Sequence, residues 1–118
     1  MILVDTSIWV EHLHSGSERL NALLRDGLVL THPFVVGEIA CGVLRNREEI
    51  LRLLAALPEA RVAEHDEVMR LVESSRLHGR GIDWVDAHLL ASALLSRAAL
   101  WTSDRSLSRV ASSLGIHP

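Results

Sequence analysis

Short apolar runs alternate with segments of helical period along all 118 residues, and that alternation restricts the fold more than any other feature of the chain. Ile2-Leu3-Val4 is rich in β-branched residues and ends at Asp5, the pattern of a short buried strand. A helix is expected over 6–14, with Thr6 or Ser7 as its cap. Ser17 caps a second helix over 18–26, and Gly27 stops it in the usual position after a helix end. Residues 28–31 read as a second strand. His32-Pro33 opens a helix that the apolar pattern carries to Leu44, since proline suits a first turn. Ile50, Leu51, Leu53, Leu54 and Leu57 form the stripe of a helix over 48–57, closed by Pro58. A third strand is expected over 61–64, and a helix over 66–78 ends before Gly79. Residues 83–98 are the most strongly helical segment. A fourth strand over 100–102 and a last helix over 106–114 complete the pattern. Strands that alternate with helices imply an α/β fold: a mainly parallel β-sheet flanked by helices on both faces.

The length suits a single domain over 1–118, and the 48% hydrophobic share suffices for a core without disulfide or zinc staples. The lone cysteine, Cys41, has no partner for a disulfide or a thiolate metal site, which suits a reducing compartment. The opening lacks the basic start and apolar stretch of a signal peptide. No apolar run reaches the roughly 18–20 residues of a membrane span. The expectation is a soluble cytoplasmic protein with no membrane partner.

Four carboxylates stand out from this frame. In parallel α/β sheets, ligands bind outside the carboxyl ends of the strands. Asp5 follows the first strand directly, and Asp104 lies two residues beyond Thr102 at the end of the last, so both face the same crevice. Glu38 is the sole charge in Phe34-Val35-Val36-Gly37-Glu38-Ile39-Ala40-Cys41-Gly42-Val43-Leu44, a segment apolar enough to be mostly buried. An isolated carboxylate there is costly unless it is paired, protonated or bound to metal. The alternatives are a narrow solvent-facing stripe or an arginine partner. Asp86 has a similar setting in Trp84-Val85-Asp86-Ala87-His88-Leu89-Leu90-Ala91. It also has a structural alternative: Asp83 caps the helix, and Asp86 three residues on completes a capping box. Four acids in one crevice repel one another unless a cation is the reason for them. Oxygen-only ligands select a hard ion, Mg²⁺ or Mn²⁺.

The formal net charge of −3 runs against a nucleic-acid partner. Removing the four site charges from −3 leaves the remainder at +1, and bound cations would repair the local field. All 12 basic residues are arginine, which suits bidentate phosphate recognition. Arg45, Arg80 and Arg105 are candidates to touch a phosphate backbone, with a solvated surface role as the alternative.

Val4-Asp5-Thr6-Ser7-Ile8-Trp9 resembles the opening of PIN-domain proteins, specifically the VapC-type toxins of bacterial toxin–antitoxin pairs. Glu38 within a mid-chain helix is similar to their second acidic position. Asp86-Ala87-His88-Leu89-Leu90-Ala91-Ser92-Ala93 resembles their aspartate followed by an alanine-rich helix, and Trp101-Thr102-Ser103-Asp104-Arg105 resembles their last strand and fourth acid. The likeness spans the chain in order. It implies a PIN-like fold and a Mg²⁺- or Mn²⁺-dependent endoribonuclease. It further implies a cognate VapB-type antitoxin and a homodimer. Asp5 and Asp86 would then be principal metal ligands. Asp104 would complete the shell directly or through water, and Glu38 would hold a water or a second cation. Thr6 and Thr102 would orient the carboxylates by hydrogen bonding.

The seven histidines read as structural or exposed rather than as ligands. Trp9, Trp84 and Trp101 read as core or interface packing rather than as base-stacking platforms. Two rival readings remain. A phospho-receiver domain shares the acidic strand-end pocket, but it needs a lysine and an acidic pair at the first strand, and this chain has neither. A catalytically inactive PIN-like binding module would keep the fold without cleaving RNA.

Overall fold

The computed structural model describes residues 1–118, and the elements follow the expected alternation. They run β1 (Ile2–Val4), α1 (Thr6–Ser15), α2 (Glu18–Arg25), β2 (Val29–Leu30) and α3 (Pro33–Ala40), then α4 (Arg47–Ala55), α5 (His65–Ser74), α6 (Trp84–Leu95), β3 (Ala99–Trp101) and α7 (Arg105–Ser113). The strands form one parallel sheet in the order β2-β1-β3, flanked by the seven helices. Ile2 pairs with Val29 on one side and Ala99 on the other, and Val4 pairs with Trp101. The N-terminal strand is therefore central, and Asp5 emerges from the middle of the sheet's C-terminal edge.

The expected strand over 61–64 is absent, and the sheet has three strands rather than four. Pairing with the neighbourhood of β2 extends only to an isolated parallel bridge between Thr31 and Glu59. Thr31 N–H donates to the Pro58 carbonyl at 2.9 Å, and Ala60 N–H donates to the Thr31 carbonyl at 2.8 Å. Beyond that point the backbone finds side chains instead of a ladder. Arg61 N–H donates to Ser96 Oγ at 2.9 Å and Ala63 N–H to Ser92 Oγ at 3.3 Å, both on or just after α6. Satisfied donors have no need of a strand partner.

The helix expected to reach Leu44 stops at Ala40. Gly42 N–H turns back to the Ile39 carbonyl at 3.1 Å, and the following residues leave the core, with Val43 fully exposed. Apolar character continues past the end of the helix, and Leu44 alone of residues 41–44 returns to pack against the core. The cap of α1 also differs from expectation: it is Asp5, whose Oδ1 accepts from Thr6 N–H at 2.8 Å, because the chain is still extended at Asp5 and helical from Thr6.

The core lies between the sheet and α6, which packs against β1, β3 and α5. Ala87 through Ala93 are all buried, so α6 is apolar nearly all round for a physical reason: it has neighbours on every side. Leu89 and Leu90 are fully enclosed, each contributing about 1.5–3 kcal/mol. Leu3, Val4, Leu100, Leu107 and Val35 close the same cluster. No helix is long and apolar enough to cross a membrane.

Candidate active site

Three helices, α1, α6 and α7, each begin on an aspartate. Asp5 accepts from Thr6 N–H, Asp83 from Asp86 N–H at 2.8 Å, and Asp104 from Leu107 N–H at 2.9 Å. Two of these caps follow strand ends directly, because β1 runs into Asp5 and β3 reaches Asp104 after a two-residue turn. The third is brought in by the loop before α6. Gly81 there has φ of +79°, and a Cβ would meet Ser106 Oγ at 2.8 Å. The positive φ favours glycine, and the missing side chain leaves room for Ser106 of α7 beside the turn that leads into α6.

Asp5 is the most constrained of the acids, at 8% exposure. Its Oδ2 accepts from the Thr102 hydroxyl at 2.7 Å and the Ser7 hydroxyl at 3.1 Å. Each hydroxyl has one proton, and both are spent on Asp5. The 3.3 Å approach of Ser7 Oγ to Thr102 Oγ1 is therefore a contact rather than a further bond. As acceptors, the same oxygens hold the turn after β3. Ser103 N–H reaches Ser7 Oγ and Asp104 N–H reaches Thr102 Oγ1, both at 3.1 Å. Ser7 and Thr102 thus tie Asp104's backbone to Asp5's carboxylate. Sequence alone offers Ser7 only as an alternative cap, and nothing in the local pattern distinguishes it.

Glu38 is exposed, which corrects the expectation of a mostly buried helix around it. Val35 and Ile39 carry the buried side of α3, while Gly37 and Glu38 fall on its open side. The solvent-facing alternative describes its burial. Its Oε1 accepts from the Thr6 hydroxyl at 2.7 Å, so α3 is joined to the first turn of α1, one residue from Asp5.

Asp86 is partly buried and completes a reciprocal capping box, its Oδ2 accepting from Asp83 N–H at 3.1 Å. Its pKa is pushed up to about 6. Burial is the largest cause. The Asp83 N–H bond opposes the rise, while the charges of Asp83, Asp5 and Asp104 add to it. Three aspartates therefore lie close enough to Asp86 to disfavour its ionised form, and no cation is among the groups that act on it.

The carboxylates share one arrangement. Asp86, Asp104 and Glu38 each commit one oxygen to a protein donor and leave the other without one. As placed, no three of them form a ready-made ligand cage. Asp83, Asp104 and Glu38 are exposed but each is held through one oxygen, and Asp5 is the buried member. The donor set, oxygen-only and uncompensated, fits a hard divalent cation.

The histidines lie elsewhere. His88 turns away from Asp86 and packs against Phe34 and Trp84, with ring centroids 4.8 Å apart in each case. His32 is fully buried, accepts from Phe34 N–H at Nδ1 and meets Ser92 Oγ at 3.1 Å through Nε2. Burial, and then the neighbouring His88, hold its pKa down at about 4. Of the tryptophans, Trp9 is core and Trp101 is half-buried under the Arg19 guanidinium, 4.3 Å from the ring centroid. Trp84 is 40% exposed, which sets aside the core half of the expectation of core or interface packing.

A PIN domain family model matches residues 2–113. Ribonuclease VapC32 of Mycobacterium tuberculosis, in strain CDC 1551 / Oshkosh and in strain H37Rv, is 48% identical over 117 residues. The match covers 98% of this chain and 94% of each relative. With a parallel sheet whose C-terminal edge gathers Asp5, Asp86 and Asp104, and with a match of this extent, the chain belongs to the PIN-domain family and to its VapC branch.

Proposed function

We propose that this protein is an endoribonuclease, the toxin of a type II toxin–antitoxin pair. It acts as a single PIN domain over 1–118 in the cytoplasm and hydrolyses RNA phosphodiester bonds at an acidic site. The observation that carries the reading is the Asp5 carboxylate, buried at the end of the central strand and tied through Thr102 to the backbone of Asp104, with Asp86 near enough for the charges of both to act on it. Carboxylates gathered this way favour a divalent ion. The naming of the Mycobacterium relatives as ribonucleases supports RNA as the substrate.

Asp5, Asp86 and Asp104 would hold Mg²⁺ or Mn²⁺, with Glu38 holding a water or a second ion. When bound, the cation supplies positive charge at the phosphoryl oxygens and acidifies a water for in-line attack. The chain's own groups do the positioning. Thr102 and Ser7 fix the Asp5 carboxylate, Thr6 fixes one oxygen of Glu38, and the capping box fixes one oxygen of Asp86. The N-termini of α1, α6 and α7 point their unpaired N–H ends toward the same edge, which favours an approaching phosphate. Arg105 opens α7 next to Asp104 and is assigned to the RNA backbone, whereas the Arg80 guanidinium reaches Ser113 Oγ at 3.5 Å at the other end of α7 and is left out of that assignment.

Asp5→Asn and Asp86→Asn chains should fold and lose cation-dependent RNA cleavage. Full activity in both would refute the assignment. A Mg²⁺- or Mn²⁺-dependent cut that disappears with chelation separates the nuclease from an inactive PIN-like module.

The partners follow from the same reading: RNA, a VapB-type antitoxin and a second copy of the chain. A groove of about 710 Å³ between α1, α3 and α4 supports a polypeptide partner. Val10, Leu13, Ile39, Val43 and Ile50 line it, and Glu38 lies in its wall. Co-purification with the adjacent small open reading frame's product, and sedimentation of the free chain, test the two assignments.

A further inference from the structure

Five rings form a continuous series through the molecule: His32, Phe34, His88, Trp84 and His65. Successive centroids lie 5.0, 4.8, 4.8 and 5.1 Å apart. The series begins at His32, which is fully buried, and ends at the surface with Trp84 and His65. It bridges the two helices that carry Glu38 and Asp86, since Phe34 lies one turn before Glu38 on α3 and Trp84 opens α6.

Trp84 is held from two sides. His88, one turn along the same helix, meets it edge-on at 86°, and His65 at the start of α5 leans on it at 49°. An indole fixed by two neighbours yet 40% exposed presents a rigid apolar plane to solvent. The chain has four Phe and Trp residues in all, and the other three are buried or half-buried. Its immediate flank, Asp83 and His65, is exposed and polar rather than an apolar patch that would call for a protein partner.

We propose that Trp84 is a base-stacking residue for the RNA substrate. This rests on the ribonuclease reading above. Bases stack on exposed aromatic planes whatever their identity, each worth about 1–3 kcal/mol. Trp84 and Asp86 are two residues apart on one helix, about 3 Å along its axis and about 200° around it. The indole therefore lies across the helix end from the carboxylate. The indole faces the side that His88 also occupies, away from the carboxylate, so the base it holds belongs to a nucleotide set apart from the scissile phosphate on a strand crossing the N-terminus of α6. Trp84 thus positions the strand and takes no part in bond breaking.

The test uses an Asp5→Asn chain, so that binding is read without cleavage, and a fluorescein-labelled single-stranded RNA followed by anisotropy in Mg²⁺. Adding Trp84→Ala should raise Kd roughly 5- to 150-fold, the stacking energy of one base. Trp84→Phe should recover most of the loss. RNAs carrying one abasic nucleotide at successive positions should bind the chain that keeps Trp84 weakly at one position, and the Trp84→Ala chain should be insensitive there. With Asp5 intact, Trp84→Ala should raise KM by the same factor and leave kcat within about twofold of the parent. Unchanged Kd in a folded Trp84→Ala chain overturns the proposal. So does conversion of a dimer to a monomer by that substitution. If Trp84→Ala fails to fold, the abasic series against the parent and the Trp84→Phe chain decides it, and an even response at every position overturns it. Failure of the nuclease reading shows separately, as a parent chain that cleaves no RNA in Mg²⁺ or Mn²⁺.

Discussion

Replacing Asp86 with asparagine should make the metal-free protein more stable at neutral pH. The carboxyl is moved from 3.8 to about 6 in the fold, chiefly by burial and further by Asp83, Asp5 and Asp104. A carboxyl whose pKa rises on folding favours the folded state when protonated. That contribution is complete below about pH 4, the unfolded value, and is lost as pH rises through about 6. Above pH 6 the ionised Asp86 is a standing penalty. The shift of about two units corresponds to about 3 kcal/mol, and partial solvent screening reduces this to on the order of 1–2 kcal/mol. Asparagine keeps a side-chain oxygen for Asp83 N–H, so the capping box survives while the charge is removed. For 118 residues the gain should appear as about 4–8 °C in Tm. Calorimetric melts in EDTA at pH 7.5 should show it, and the gap between the two chains should narrow below pH 6 and close near pH 4. Adding Mg²⁺ should raise the Tm of the parent more than that of Asp86→Asn. A variant less stable than the parent at pH 7.5, or a gap independent of pH, refutes the view that Asp86 is strained by its neighbours.

Thr102→Val should cost about 1–3 kcal/mol, because it removes one donor from the buried Asp5 carboxylate and the acceptor of Asp104 N–H. Thr102→Ser should restore both stability and RNA cleavage; a Val variant with parental Tm and activity would show that the hydroxyl positions nothing. His32 acts with the opposite pH sign to Asp86. Its pKa falls from 6.5 to about 4 in the fold, so its contribution is complete above pH 6.5 and declines as pH drops toward 4. A His32→Gln chain, less stable at pH 7.5, should therefore lose Tm less steeply over that interval than the parent. Equal slopes would count against it.

Punctuation and periodicity are enough to place most elements, since Gly27, Pro33 and Pro58 act locally and the apolar stripes of the helices are short-range patterns. What escapes them is decided by tertiary partners. Residues 61–64 have the composition of a strand, but Ser92 and Ser96 on another element take their N–H groups. Glu38 looks buried because its helix is apolar, yet only the Val35–Ile39 side of α3 meets the core. Ser7 carries no signature, because its role exists only where β3 returns beside β1. Asp83 and Asp86 come near Asp5 and Asp104 only in the fold, where the turn at Gly81 lies beside Ser106 of α7, 25 residues away and connected to it by no local pattern.

The capping alternative for Asp86 is a different kind of case, because it does not compete with the site reading at all. A helix N-cap needs one carboxylate oxygen facing backbone N–H groups, and an ion needs an oxygen facing the cleft. Asp86, Asp104 and Glu38 have two oxygens each, one anchored and one without a protein donor. The cap removes the rotamer freedom that a surface carboxylate would otherwise lose on binding, so the structural role prepares the chemical one. The donor that anchors Asp86 is the backbone N–H of Asp83, so substitutions at Asp83 keep it and change only the reciprocal cap on Asp86 N–H. Asp83→Asn retains a capping oxygen and should leave divalent-ion affinity within a few-fold of the parent, whereas Asp83→Ala frees Asp86 N–H and should weaken it further. Isothermal titration with Mn²⁺ measures the difference, and equal affinity in the two variants would mean that the Asp83 cap on Asp86 N–H contributes nothing to the site.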